Sequence, residues 1–122
     1  VAWRIAMEQP QLFAEVDRII DITDIAVATS GDYRNYFEKD GIRYSHTIDP
    51  KSGRPIGHNL ASVTVLSPSC AEADAWATAI SVIGPEQGLE LAQEHDLAVY
   101  MLVRENEQFV TKSSASFDLI IN

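Results

Sequence analysis

Cysteine is nearly absent from this 122-residue chain, since Cys70 stands alone. No internal disulfide can form, and no cluster of thiolates can hold a metal; the lone thiol fits a reducing or an oxidising compartment equally well. Basic residues are scarce too. Nine Lys and Arg against eighteen Asp and Glu give a formal charge of −9. That charge opposes phosphate backbones and anionic bilayers, and so argues against sequence-independent nucleic-acid binding. No apolar run approaches the roughly 18 to 20 residues that a membrane span requires. The first residues show neither a basic n-region nor a continuous apolar h-region. Internal repeats, low-complexity tracts and linkers are also missing. What is present is a chain with 46% hydrophobic residues, the size of one modest domain with a real core. Its opening, "VAWRIAM", reads as a strand already under way, which leads us to expect a start inside a longer parent.

Along the chain, "WRIAME" (3–8) reads as a strand that Pro10 breaks. "EVDRIIDITDIAVATSGDY" contains two β-rich runs joined at Thr23-Asp24, a pattern that predicts a hairpin ending at Gly31. A helix competes over 11–22, because Leu12, Val16, Ile19 and Ile20 also fit a period near 3.6. Asp40-Gly41 between two aromatic-rich runs predicts a second hairpin, since glycine accepts positive φ at little cost. "DPKSGRPIGHN" (49–59) reads as a loop, and "LASVTVLS" (60–67) as a strand. Ser69 and Glu72 form a capping box that starts a helix over Cys70 to Ile83. Gly84 stops it in the left-handed region, and Pro85 opens a second helix to about His95 that Gly88 weakens. "LAVYMLV" (97–103) is a buried strand, "RENEQ" a turn, and "FVTKSS" and "FDLIIN" closing strands. The predicted class is α+β, mainly antiparallel, with two helices.

The first candidate site lies inside "EADAWATAI" (72–80), where Asp74 and Thr78 interrupt an alanine-rich helix four positions apart and project side by side. An acidic residue near a helix start and a threonine bonded to the carbonyl four back explain the pair without a ligand. If the helix is buried, however, the aspartate carries a desolvation cost of several kcal/mol unless it is paired. A hard cation taking both oxygens would satisfy the two groups together. The second candidate is the loop "YSHTIDPKSGRPIGHN". There His46 ends a strand, where a scaffold presents reactive groups, and histidine suits proton abstraction from a hydroxyl. Lys51 and Arg54 could meet an anion or be merely solvated, and His58, between Gly57 and Asn59, reads as part of a solvated turn. Ser30-Gly31 lacks the glycines of a nucleophile elbow, although Gly31 allows a ligand close to the backbone. Trp3 and Trp76 read as core or interface, and Cys70 as structural.

Taken in order, "ATSGDYRNYF", "DGIRYSHTIDPKSGRPI", "SVTVLSPSC" and "EADAWATAISVIG" resemble the C-terminal half of the ApbE family, the FAD:protein FMN transferases. The resemblance covers nearly all of this chain but less than half of the family's usual length. The N-terminal half, with its glycine-rich flavin-binding segments and a backbone carbonyl that helps hold the metal, would be a needed partner. The implied chemistry splits the pyrophosphate of FAD, releases AMP, and places FMN on a threonine or serine hydroxyl of a target protein. The same resemblance implies magnesium ligands at Asp74 and Thr78 and a general base at His46. It places Ser30, Gly31, Tyr33, His46, Thr47, Ile48 and Asp49 around FAD. The implied acceptors are proteins of flavin redox complexes, the implied location is the periplasm or cell envelope, and a homodimer is left open. Two rivals stand beside this reading: an FAD-binding or FAD-hydrolysing protein without an acceptor, and an interaction domain with a degenerate site.

Overall fold

A computed structural model describes residues 1–8, 16–31, 36–106 and 108–121. Its strands are β1 (Trp3–Glu8), β2 (Val16–Ile22), β3 (Ala26–Gly31), β4 (Tyr36–Lys39), β5 (Ile42–Ser45), β6 (Ile48–Asp49), β7 (Arg54–Pro55), β8 (Leu60–Ser67), β9 (Ala98–Glu105) and β10 (Gln108–Ser113). Three helices complete it: α1 (Cys70–Ile83), α2 (Pro85–Glu94) and α3 (Ala115–Ile121).

The centre is an antiparallel sheet in the order β10-β9-β8-β3. Alternation along its strands divides the core in two. Val63 and Val65 of β8, with Val99, Met101 and Val103 of β9, meet Ala73, Ala77 and Ile80 of α1 and Ala92 of α2. On the opposite face Leu66, Ala98, Tyr100 and Leu102 meet Met7, Ile20 and Ile22 of the β1–β2 pair and Phe117 of α3. Cover on both faces explains why every residue of β8 is buried, its serines and threonine included. Thr64 answers that burial by pairing its hydroxyl with Thr29 of β3 at 2.9 Å.

The α+β class, the strands at 3–8 and 60–67, and both long helices agree with the sequence reading. So does the β4–β5 hairpin, whose turn places Asp40 at φ 53° and Gly41 at φ 78°. The strand expected over 16–22 is present as β2, and three expectations are corrected. The runs flanking Thr23-Asp24 are strands but do not form a hairpin: β2 pairs with β1, whereas β3 crosses into the central sheet beside β8. Apolar alternation specifies a strand and leaves its partner open. The competing helix over 11–22 gives way to β2 from residue 16, and its earlier residues lie outside the described ones. The 49–59 stretch is not all loop, because Ile48 and Asp49 pair with Pro55 and Arg54 in a two-residue ladder.

The run "FDLIIN" also departs from its expected form. Instead of a closing strand it contributes α3, a third helix where two were expected. Its start signal is Ser114, which is fully buried, accepts a hydrogen bond from Phe117 N at 3.3 Å through its hydroxyl, and receives Asp118 N at its carbonyl. An apolar run this short does not distinguish a strand from a helix by period.

Candidate functional site

Helix α1 begins as its sequence directs. Ser69 adopts extended angles (φ −110°, ψ 124°) and its hydroxyl accepts from Glu72 N at 3.3 Å. The capping box is only half made, because Ser69 N donates to Ser67 Oγ instead. The alanines Ala73 and Ala77 let the helix lie closely on the sheet, and Gly84 ends it at φ 94°, ψ 174°. That is not the left-handed helical stop expected; it is an extended positive-φ geometry essentially confined to glycine. The weakness expected at Gly88 has a packing reason: a Cβ there would meet Ile80 Cγ2 at 2.6 Å, so glycine lets α2 approach α1.

Asp74 and Thr78 are both exposed, one turn apart on the flank of α1 beside its buried Ala73 and Ala77. Asp74 is therefore solvated, and burial gives no reason for a cation there. What remains is simpler. Two hard oxygen donors stand side by side, and neither has a hydrogen-bond or ionic partner among the described residues. Three positions beyond Thr78, Ser81 continues the stripe to where α1 sinks into the structure, and there it is buried. The D-x-x-x-T-x-x-S spacing carries that signal, and the sequence reading did not use it.

Ser81 faces the loop. With Ser30, Gly31, Ser45, Thr47 and Ile56 it lines a small depression where the ends of β3 and β5 meet the segment after them. The loop is braced internally. Thr47 N donates to the buried Ser45 Oγ at 3.1 Å, and Ile56 N to Thr47 O at 3.1 Å. The Asp49 carboxylate accepts from Lys51 N at 2.9 Å, and its carbonyl from Gly53 N at 2.8 Å, so Asp49 organises the turn around Pro50. His46 follows β5 directly and is exposed, as is Ile48, while β6 touches α1. Lys51 and Arg54 are exposed.

The structure thus brings Ser30, Gly31 and Thr47 into one depression and sets the Asp74–Thr78 pair on the helix that forms its far wall. His46, Ile48 and Asp49 belong to the same loop but do not line that depression. Tyr33 lies outside the described residues. His58 is corrected: it is half-buried, its Nδ1 accepts from Leu60 N at 3.2 Å, and its Nε2 contacts Ser81 O. No three His, Cys, Asp or Glu side chains among the described residues gather to hold a metal. A cation on Asp74 and Thr78 would therefore complete its shell with water, substrate oxygens or groups beyond those described. Such a donor set fits magnesium, which tolerates few protein ligands and keeps several waters.

A family model described as "ApbE family" matches residues 1–101. The chain belongs to the ApbE family. Among ApbE relatives, the FAD:protein FMN transferase of Vibrio cholerae is 50% identical over 118 residues, which cover 96% of this chain and 35% of that protein. The FAD:protein FMN transferase of Escherichia coli is 48% identical over 116 residues, covering 94% of this chain and 33% of its own length. The crystal structure of the flavinyl transferase ApbE of Pseudomonas stutzeri, in its apo form, superimposes with a TM-score of 0.83 at 50% identity. It is covered over 36% of its length by 98% of this chain. The chain thus spans about a third of the length of the ApbE proteins it matches.

Proposed function

We propose that this chain carries the metal-ligand helix and the acceptor-activating loop of a magnesium-dependent FAD:protein FMN transferase. The observation that supports the reading most is the exposed Asp74–Thr78 pair, continued by Ser81 to a depression walled by Ser30, Gly31 and Thr47, in a chain of the ApbE family. Asp74 and Thr78 would hold magnesium, which supplies neutralisation of the negative charge that spreads over a diphosphate during transfer.

The chain's own groups do the rest. Gly31 and Ser30 end β3 without a bulky side chain and leave the backbone open to FAD, with Thr47 lining the same depression; Ile48, Asp49 and Tyr33 would complete the FAD pocket. His46 takes the proton from the threonine or serine hydroxyl of the acceptor. The freed oxygen forms a bond to the FMN phosphorus, the bond from that phosphorus to the bridging oxygen breaks, and AMP leaves with the electron pair. An acidic chain suits this scheme, because charge neutralisation at the diphosphate falls to the cation and not to a basic patch. The same proposal includes dependence on the remaining length of the enzyme, an acceptor protein from a flavin redox complex, and a location in the periplasm or cell envelope. No described helix is long and apolar enough to cross a membrane.

A chimera tests it. Residues 1–122 replace the matching segment of the Vibrio cholerae relative, and transfer is read as covalent flavin fluorescence on an acceptor, with AMP counted alongside. We expect magnesium-dependent transfer that Asp74→Ala abolishes, and that His46→Ala lowers while FAD still binds. AMP release without flavin on the acceptor would point to FAD hydrolysis. Wild-type rates for Asp74→Ala at limiting magnesium would remove the metal assignment.

A further inference from the structure

The last carbonyls of a helix have no donor within it. In α1, Ile80 O is met by Gly84 N at 3.0 Å. Ser81 O comes next, and the residue four further on is Pro85, which has no N–H to give. Gly84 has by then turned the chain out of the helix, and the last turn of α1 carries no basic side chain. The missing donor arrives from another part of the chain, as His58 Nε2 contacts Ser81 O at 2.5 Å.

The other ring nitrogen is committed as well. Leu60 N–H donates to His58 Nδ1 at 3.2 Å. A carbonyl accepts only, so Nε2 must carry the proton; a backbone N–H donates only, so Nδ1 must offer its lone pair. The two contacts together select one neutral tautomer. The ring also lies against Gly84, where a Cβ would come within 3.3 Å of His58 Cδ2, so the glycine that ends α1 leaves room for it. Its neighbour Asn59 ties the same stretch to β9, with Nδ2 donating to Arg104 O at 3.0 Å and its carbonyl accepting from Arg104 N at 2.8 Å.

We propose that His58 is a positioning residue that registers the 46–56 loop against the last turn of α1. Thr47 and Ile56 are bonded to each other and form one wall of the depression, and Ser81 forms the facing wall. The His58–Ser81 contact is a side-chain bond between the loop's exit and that helix. The functional meaning, alignment of His46 and Thr47 with the Asp74–Thr78 helix, rests on the flavin-transfer reading. The geometry does not.

Two conservative variants separate the arms. Glutamine places a donor near the Nε2 position and keeps the bond to Ser81 O; asparagine places an acceptor near the Nδ1 position and keeps only the bond from Leu60. Amide hydrogen exchange on the 122-residue chain reads the result without FAD, so it stands whether or not transfer is ever observed. With His58→Ala, exchange at Ile56 and Gly84 should quicken at least tenfold while Val99 in the core changes less than twofold. His58→Gln should restore both to within threefold of wild type, and His58→Asn should not. Imidazole nitrogen spectra of the wild type, with the His58 signals assigned by their loss in His58→Ala, should show that ring as the Nε2–H tautomer. Equal behaviour of the glutamine and asparagine variants, a uniform rise across all amides, or an Nδ1–H ring would overturn the proposal.

Discussion

Replacing Gly88 by alanine probes the contact that holds the candidate metal helix in place. A Cβ at 88 would lie 2.6 Å from Ile80 Cγ2 and 3.4 Å from Met101 Cε. The methionine end can yield, but Ile80 is fully buried and its Cγ2 is attached at the branch, so it moves only with χ1 or the backbone. Overpacking of this kind costs about 1–3 kcal/mol. Alanine in place of glycine inside a helix returns about 1 kcal/mol. The net expectation is a loss of up to about 2 kcal/mol. Ile80→Ala alone should cost roughly 2–5 kcal/mol. In that background the clash is gone, and Gly88→Ala should turn stabilising by about 1 kcal/mol, since propensity alone remains. Urea unfolding of the four proteins, with unchanged m-values, gives the coupling directly. If Gly88→Ala shifts stability by the same amount and sign in both backgrounds, the close approach of α1 and α2 is not what keeps glycine at this position.

Two further outcomes follow from buried and exposed polar contacts. Ser114→Ala should lower unfolding stability by roughly 2–4 kcal/mol, because the buried hydroxyl serves Leu97 O, Val99 N and Phe117 N at once and its loss strands buried partners; a loss no larger than that of a surface serine would contradict this. Arg4→Ala should leave the unfolding midpoint where it is. Its pair with Asp21 at 3.1 Å is exposed on both sides. The Asp21 hydrogen bond, and then its charge, raise the Arg4 pKa further above the usual arginine range. A raised pKa gives stability that is fully present below the unfolded value and lost only above it, so melts between pH 6 and 9 should show no dependence traceable to Arg4.

Local signals were legible wherever the chemistry is local. Ser69, Gly84 and Pro85 marked both ends of α1 and the start of α2, and Asp40-Gly41 marked a turn, because caps and positive φ are decided within a few residues. Partner choice was not legible. Thr23-Asp24 looked like a hairpin turn, yet β3 lies beside β8, some 35 positions away in the Thr29–Thr64 pairing, and no local pattern encodes that distance. Burial misled in both directions. An alanine-rich segment suggested a dry helix around Asp74, although alanine is equally at home on the exposed side. His58 between Gly57 and Asn59 looked solvated because its partners, Ser81 and Gly84, come from the far end of a helix. The polar stripe itself could be read from spacing, but its meeting with Ser30, Ser45 and Thr47 needed the fold.

The proposed function requires Asp74 and Thr78 to hold a divalent ion beside the depression walled by Ser81 and Thr47. Manganese, which accepts the same oxygen donors as magnesium, can be titrated into the chain with FAD while backbone amides are followed by NMR. Paramagnetic broadening should be strongest across residues 74–78, next strongest at 47–49, and absent with Asp74→Ala. Broadening centred elsewhere, or undiminished in that variant, would contradict the account.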